Sequence, residues 1–476
     1  MHLIDWLIVG GLFAILVSSA VSTKKYTKSV ASFLAADRLG GRYLISIATT
    51  MAMFGVITFV YYFEQNYQVG FTPYWWGFIE GPVMIVMALS GWVIYRYRET
   101  RAMTLAQFFE MRYSKSFRIF SGIIAFLAGI LNFGIFPSVG ARFFIYLCGL
   151  PQSFLFLGLE LSTFHVIMLF LIFVSILFTF LGGQIAIMIT DFIQGSFSNF
   201  VFIIIIAFVL LSFSWDQIST VLLDSQPEQS LVHPFHIGKE SHFNFWFYVI
   251  SVFIAFYGPL LWQGTSGYNC SAKNAHEAKM AGILSGWRYR VFLHIAIILP
   301  VGARVLLNHP DFSDFASGIS AQLSAIAEPA VQNQVRIPLV IGHFLPVGLL
   351  GLLCAAMLAA FISTHDTYLH SWGSIFIQDV IMPFRKKPFT PKQHIWYLRF
   401  SMIGVAIFIY IFSVFFRHTQ FIIMYCQQSA SVFFGGAGAA VIGGLYWKKG
   451  TTAGAWSGMI VGMTLAVAGI VIKKIN

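Results

Sequence analysis

The sequence predicts an all-α polytopic membrane protein with about 12 transmembrane helices, and three observations carry that expectation. Of the 476 residues, 58% are hydrophobic and only 10% are charged. A water-soluble domain needs roughly a quarter of its residues charged to coat its surface. Apolar stretches of about 20 residues, long enough to cross a bilayer as a helix, recur along the chain. The basic residues collect in every second connection between those stretches, as the positive-inside rule requires of a chain that threads back and forth.

The predicted spans are 4–22, 43–68, 74–97, 117–148, 162–182, 185–214, 242–262, 280–306, 344–382, 392–416, 419–446 and 451–472. Lys24, Lys25, Lys28, Arg38 and Arg42 follow the first span, and Arg96, Arg98, Arg101, Arg112, Lys115 and Arg118 the third. Lys273, Lys279, Arg288 and Arg290, then Arg385, Lys386, Lys387, Lys392 and Arg399, then Lys448 and Lys449 continue the alternation. These loops are expected in the cytoplasm, with both termini outside. The net charge of +11 is therefore read as topology, and no nucleic-acid partner is expected. The first span has its basic cluster behind it, the reverse of a cleavable signal, so it is expected to remain as a helix. The cysteines Cys148, Cys270, Cys354 and Cys426 form no C-x-x-C pair and imply neither a metal site nor a disulfide framework. The longest outer connections, about 215–241 and 307–343, are too short for an independent domain. The expectation is one transmembrane unit, working as a monomer in a cell membrane, with its chemistry between helices.

Ionisable side chains within spans are costly in lipid and so are candidates for function. Glu64 lies close to an outer end and is read as water-facing. Glu80, beside Gly81 and Pro82, suits either a cavity wall or an irregular helix start. Asp191 and Gln194 are three apart and share a helix face, which serves a cation or a neighbouring helix equally well. Arg142 is read as bonding helix-end carbonyls, or a solute carboxylate if there is one.

The least lipid-compatible stretch is AAFISTHDTYLHS, residues 359–371, in the middle of an apolar run. Ala360, Ser363 and Thr364 fall at i, i+3 and i+4 on one face, and Ser363, Asp366 and Thr367 repeat that spacing with a carboxylate added. A helical carbonyl keeps a spare lone pair, so the first set can present three oxygens to a hard cation. Back-bonding to the helix or to a neighbour is the competing use of such hydroxyls. A cation needs further oxygens, which transporters supply from broken helices. SIATTMAMFGVITF, residues 46–59, with Gly55 inside, is the candidate partner.

Five stretches in order then resemble the sodium:solute symporter family: RYRETRAMTLAQFFEMRYSKSFR, TDFIQG, CSAKNAHEAKMAGIL, STHDTYLHSWGSIFIQDV and GLYWKKGTTAGAWSGMIVG. The resemblance covers nearly the whole chain. It implies an inverted-repeat core of five plus five helices of the leucine-transporter type, about 43–446, preceded by an extra helix at 4–22 and followed by one at 451–472. It implies a sodium site made by the carbonyls of Ala48, Met51 and Ala360 and the hydroxyls of Ser363 and Thr364. It also implies a possible second sodium site at Asp191, Ser363, Asp366 and Thr367. Two departures stand out: His370 where the family often has Asn, and GYN (267–269) in place of Gln-Arg before the Ser-Ala-Lys stretch.

Read this way, the chain imports a small polar solute with Na⁺ by alternating access, a sugar favoured and an amino acid or organic acid open. Candidate solute-binding residues are Ala52, Gly55, Glu80, Tyr257, Trp262, Gln263, Gln427 and Gln428. The alternatives are a proton-coupled carrier of the same fold, using Asp191 and Asp366, or a membrane-embedded enzyme or sensor. His365 and Asp366 point about 100° apart on a helix and make a poor catalytic dyad, so no enzyme is expected.

Overall fold

Helices make up nearly all regular structure in the computed structural model, which describes residues 1–224, 228–239 and 242–475. In chain order the principal elements are α1 (Leu3–Thr23), α2 (Arg42–Met53), α3 (Val56–Val69), α4 (Thr72–Ser90), α5 (Lys115–Phe133) and α6 (Phe136–Cys148). A small hairpin, β1 (Ser153–Phe156) and β2 (Leu159–Ser162), leads into α7 (Thr163–Ser212). After it come α8 (Phe245–Ala255), α9 (Ala275–Asn308), α10 (Pro329–Phe344), α11 (Leu349–Ile375), α12 (Pro391–Phe415), α13 (Ile422–Tyr446) and α14 (Thr452–Ile475). Among the described residues, 9 helices are long and apolar enough to cross a membrane, and up to 10 if the bent pair α2–α3 counts as one span.

Several predicted spans change on inspection, each for a backbone reason. The 50 residues of α7 would extend about 75 Å, far beyond a bilayer. The helix is broken by a kink at Gly183 (φ 53°, ψ −145°), where the sequence places the turn between spans 162–182 and 185–214. A Cβ at Gly183 would press on Phe33, so both conformation and space demand glycine there. The predicted span 43–68 is two helices, α2 and α3, bent by 60° at Phe54–Gly55. The predicted span 242–262 is not continuous: α8 stops at Ala255, and short helices at Gly258–Leu261 and Ser266–Ser271 follow, with a turn at Gln263–Thr265 between them. The predicted span 344–382 starts only at Leu349, because Pro346 and a positive-φ Gly348 interrupt it, and it ends in a π-helical turn at Phe376–Ile381. The outer connection 307–343 is itself helical, at Ser313–Ser324 and α10, while part of the connection 215–241 lies outside the described residues.

The core centres on α11, whose residues are buried almost without interruption. It packs against both halves of α7, and α1 lies across the two of them. One side chain fixes that arrangement. The first amides of a helix have no intrahelical acceptor. At the start of α11 these are supplied by Asp5 from α1, whose Oδ1 accepts from Gly348 N (2.7 Å) and Gly351 N (3.0 Å), while Oδ2 accepts from His2 N (2.8 Å). Asp5 is wholly buried, and Gly351 leaves the room for it. The carboxylate also sits at the positive end of the α11 dipole. We expect Asp5→Ala to destabilise the purified protein by about 1–3 kcal/mol, with Asp5→Asn intermediate, measured as a fall in melting temperature.

Candidate functional site

The break between α2 and α3 meets the polar middle of α11. Thr364 Oγ1 donates to the Ala52 carbonyl (3.0 Å), one of the carbonyls freed where α2 ends. Gly55 permits the approach, since a Cβ there would run into the Thr364 side chain. Around the break, Phe54 N donates to Met51 O (3.1 Å) and Thr58 Oγ1 to Met53 O (3.0 Å). The break thus gathers peptide oxygens, hydroxyls and the facing ends of two helices within the protein interior. Ala48, Met51, Ala360 and Ser363 are all wholly buried. The Ser363 hydroxyl has no hydrogen-bond partner, so one oxygen of the predicted set is uncommitted. Ala52 and Gly55, assigned to solute from the sequence, form the contact with Thr364.

The second predicted cluster assembles around a residue that the sequence reading missed. Tyr268 donates its hydroxyl to Asp191 Oδ2 and lies 2.7 Å from Thr367 Oγ1, whose single proton serves either the Tyr268 oxygen or, over 3.4 Å, Asp366 Oδ1. All four side chains are buried. Asp191 Oδ1 and Asp366 Oδ2 are left without a partner, as is the neighbouring Ser363 hydroxyl. Tyr268 belongs to GYN, the stretch noted only as a departure, and its phenol is what ties α7 to α11 here. Gln194, predicted on the Asp191 face, is buried with its amide unpaired.

His365 faces away from both clusters. Its Nδ1 engages Phe361 O (2.9 Å) and its ring stacks on Phe361 (3.6 Å between centroids) beside Phe133 and Phe136. His365 and Asp366 therefore have separate partners. His370 Nε2 engages Phe33 O (2.9 Å), tying α11 to the short helix Val30–Ala35 before α2.

The solute candidates divide. Trp262 Nε1 donates to the Tyr368 hydroxyl (2.7 Å), and its ring packs against Trp372 and Phe434 within the second helix break. Near the first break, Tyr62 and Tyr289 approach through their hydroxyls (3.4 Å), with Tyr61 against Tyr62. Asn132 donates to Cys426 O and Ser429 Oγ (both 2.9 Å), another group the sequence reading did not single out. Gln263 is buried and committed: it accepts from Leu105 N (3.2 Å) and donates to Leu261 O (3.0 Å). Tyr257 packs against Gly438. Gln427 is exposed, and Gln428 accepts from Gln420 (3.1 Å), so this amide pair does not converge on one point. Glu80 is half-buried on α4, a mostly exposed helix in which Pro82 is interior.

Two readings of the sequence are corrected. Glu64 is not water-facing: it is buried, and Oε2 accepts from Ile422 N (2.9 Å), capping α13. Arg142 does not bond helix-end carbonyls; its Nη1 donates to Gln334 Oε1 (3.2 Å).

Comparison with known proteins gives the family and the fold. The sequence model of the sodium:solute symporter family matches residues 29–462. A sodium/pantothenate symporter of Haemophilus influenzae is 24% identical over 77% of this chain and 68% of its own length. The sodium/glucose cotransporter 1 of Oryctolagus cuniculus is 20% identical over 92% of this chain and 65% of its own length. The chain thus spans about two thirds of the length of these relatives. A solved Na⁺-coupled sialic acid symporter, in a substrate-bound outward-open state, superposes with a TM-score of 0.73 over 97% of this chain and 91% of that one, at 16% identity. That likeness establishes the fold.

Tyr268→Phe keeps the ring and removes the hydroxyl that serves Asp191. It should cost about 1–3 kcal/mol of stability in sodium-free buffer and change the stabilisation by added Na⁺, read from melting curves in NaCl against choline chloride.

Proposed function

The chain belongs to the sodium:solute symporter family, and from that membership we propose that it carries a small polar solute inward with Na⁺ by alternating access. The observation that supports this most is the contact of Thr364 with the break between α2 and α3, one residue from the buried, unpartnered Ser363 hydroxyl. The ion would take the carbonyls of Ala48, Met51 and Ala360 with the Ser363 and Thr364 hydroxyls. These are neutral oxygens, which suit a hard monovalent ion held weakly enough to leave. Because the ligands come from two separate elements, Na⁺ stabilises the form in which they meet. Coupling follows from that difference, since an ion with equal affinity for both forms shifts nothing. Each inward-moving charge also gains about 2.3 kcal/mol per 100 mV of membrane potential.

The solute is proposed to sit between the two helix breaks, among Trp262, Tyr368, Tyr61, Tyr289 and Asn132. Every polar group in that set is an uncharged hydroxyl, indole or amide. Aromatic faces with such groups suit a neutral solute with several hydroxyls, and a sugar or polyol remains the favoured class. The chain is read as a carrier in the cell membrane, with its N-terminus outside, acting as a monomer and not as an enzyme. The two adjacent carboxylates Asp191 and Asp366, each with an unpaired oxygen, support a second reading in which a second Na⁺, or a proton, occupies that site.

The test is uptake into vesicles against a solute panel, with and without an inward sodium gradient. Ser363→Ala combined with Thr364→Ala should abolish sodium-dependent accumulation while the protein remains folded. Unchanged sodium dependence in that variant would reject the assigned site, and accumulation driven by a pH gradient without sodium would favour the proton.

A further inference from the structure

An open cleft of about 540 Å³ lies between the end of α6 and the turn that joins Ser313–Ser324 to α10. Arg142, Tyr146 and Gln152 line one wall; Gln322 and Glu328 line the other. Its volume falls within the range of small-molecule sites. The Arg142 guanidinium is half-buried, rests over the Phe164 ring (5.4 Å to the centroid) and spends one donor on Gln334 Oε1. Among the described residues it forms no ion pair. Gln334 is itself 2% exposed, and its Nε2 has no partner. A cationic fork held by an aromatic ring and an amide, with donors to spare at the edge of a cavity, is more than packing requires. Arginine presents paired N–H groups that match a carboxylate in plane, and partial desolvation strengthens that match.

The geometry points to a second solute site here, which binds a small organic acid through its carboxylate on Arg142. Gln152 and the Tyr146 hydroxyl supply neutral hydrogen bonds along the same wall. Glu328, exposed at the start of α10, faces the other end of the ligand and favours an ammonium or hydroxyl group there. The ligand class is therefore an amino acid or hydroxy acid. The site goes beyond the transport reading and does not rest on it. None of its residues belongs to the proposed sodium or central solute sets.

The experiment is titration calorimetry of the full chain, purified in detergent. The probes are L-alanine, 4-aminobutyrate and L-lactate, set against glycerol, D-glucose and potassium chloride. The acids should bind, the uncharged solutes should not compete, and chloride should not replace the acids. Arg142→Gln should weaken the acids about tenfold or more, while Arg142→Lys, which keeps the charge without the fork, retains part of the affinity. Glu328→Gln should reduce the preference for L-alanine and 4-aminobutyrate over L-lactate. The same binding should persist in the Ser363→Ala, Thr364→Ala variant, so loss of sodium coupling and loss of this site read separately. Gel filtration of each variant establishes that it is folded. The proposal is overturned if no acid binds the wild type, if Arg142→Gln binds the acids as the wild type does, or if chloride saturates the site equally well.

Discussion

A peptide group stripped of its helix inside a bilayer has no water to turn to, and this constraint shapes the centre of the protein. α2 ends at Met53 and α3 begins at Val56, which leaves carbonyls exposed at one end and amides at the other. Such a break survives only where another element answers it. α11 does so, through the Thr364 hydroxyl on the Ala52 carbonyl and the close approach that Gly55 allows. The polar residues of α11 and the irregularity of α2–α3 are therefore one feature: neither is tolerable in lipid without the other.

α11 distributes its polar residues by direction. Thr364 turns to the α2–α3 break, Asp366 and Thr367 to Asp191 and Tyr268, and His365 to the aromatic wall of α5 and α6. One turn further on, His370 reaches the short helix before α2. Successive residues on a helix are about 100° apart, so five polar residues in a row can address several neighbours at once. The unpaired oxygens are confined to the two faces that meet other polar elements. A protein interior rarely leaves such atoms unmet, and Ser363 Oγ, Asp191 Oδ1 and Asp366 Oδ2 are three of them within the proposed ion sites.

Much of this was legible in the sequence because lipid restricts what a chain can do. Most helix positions followed from hydropathy, and five motifs in order pointed to the family. The grouping of Ser363 with Asp366 and Thr367 was legible through the i, i+3, i+4 spacing, while Asp191 joined that set only through the family resemblance. The rest was hidden for physical reasons. Tyr268 looked like an ordinary aromatic, since nothing local says that its hydroxyl meets Asp191, 77 residues away. Glu64 seemed wet because it lies near a helix end, whereas its partner is an amide 358 residues further on. Gln427 and Gln428 read as two solute ligands side by side, but adjacent residues on a helix point about 100° apart. The outer connection 307–343 read as a loop because apolar span-finding cannot recognise short polar helices.

The carboxylate at the start of α1 also bears on how the molecule is made. Asp5 leaves the ribosome 343 residues before Gly348, the first amide it serves in α11. At 5–20 residues per second, roughly 20–70 s separate the two during synthesis. Through that interval the carboxylate has only the local His2 amide, on Oδ2, and its Oδ1 is best served by headgroups and water. Its descent into the packed interior then waits for α11 to arrive. A chain cut before Gly348 would thus leave Asp5 Oδ1 without the α11 amides it serves.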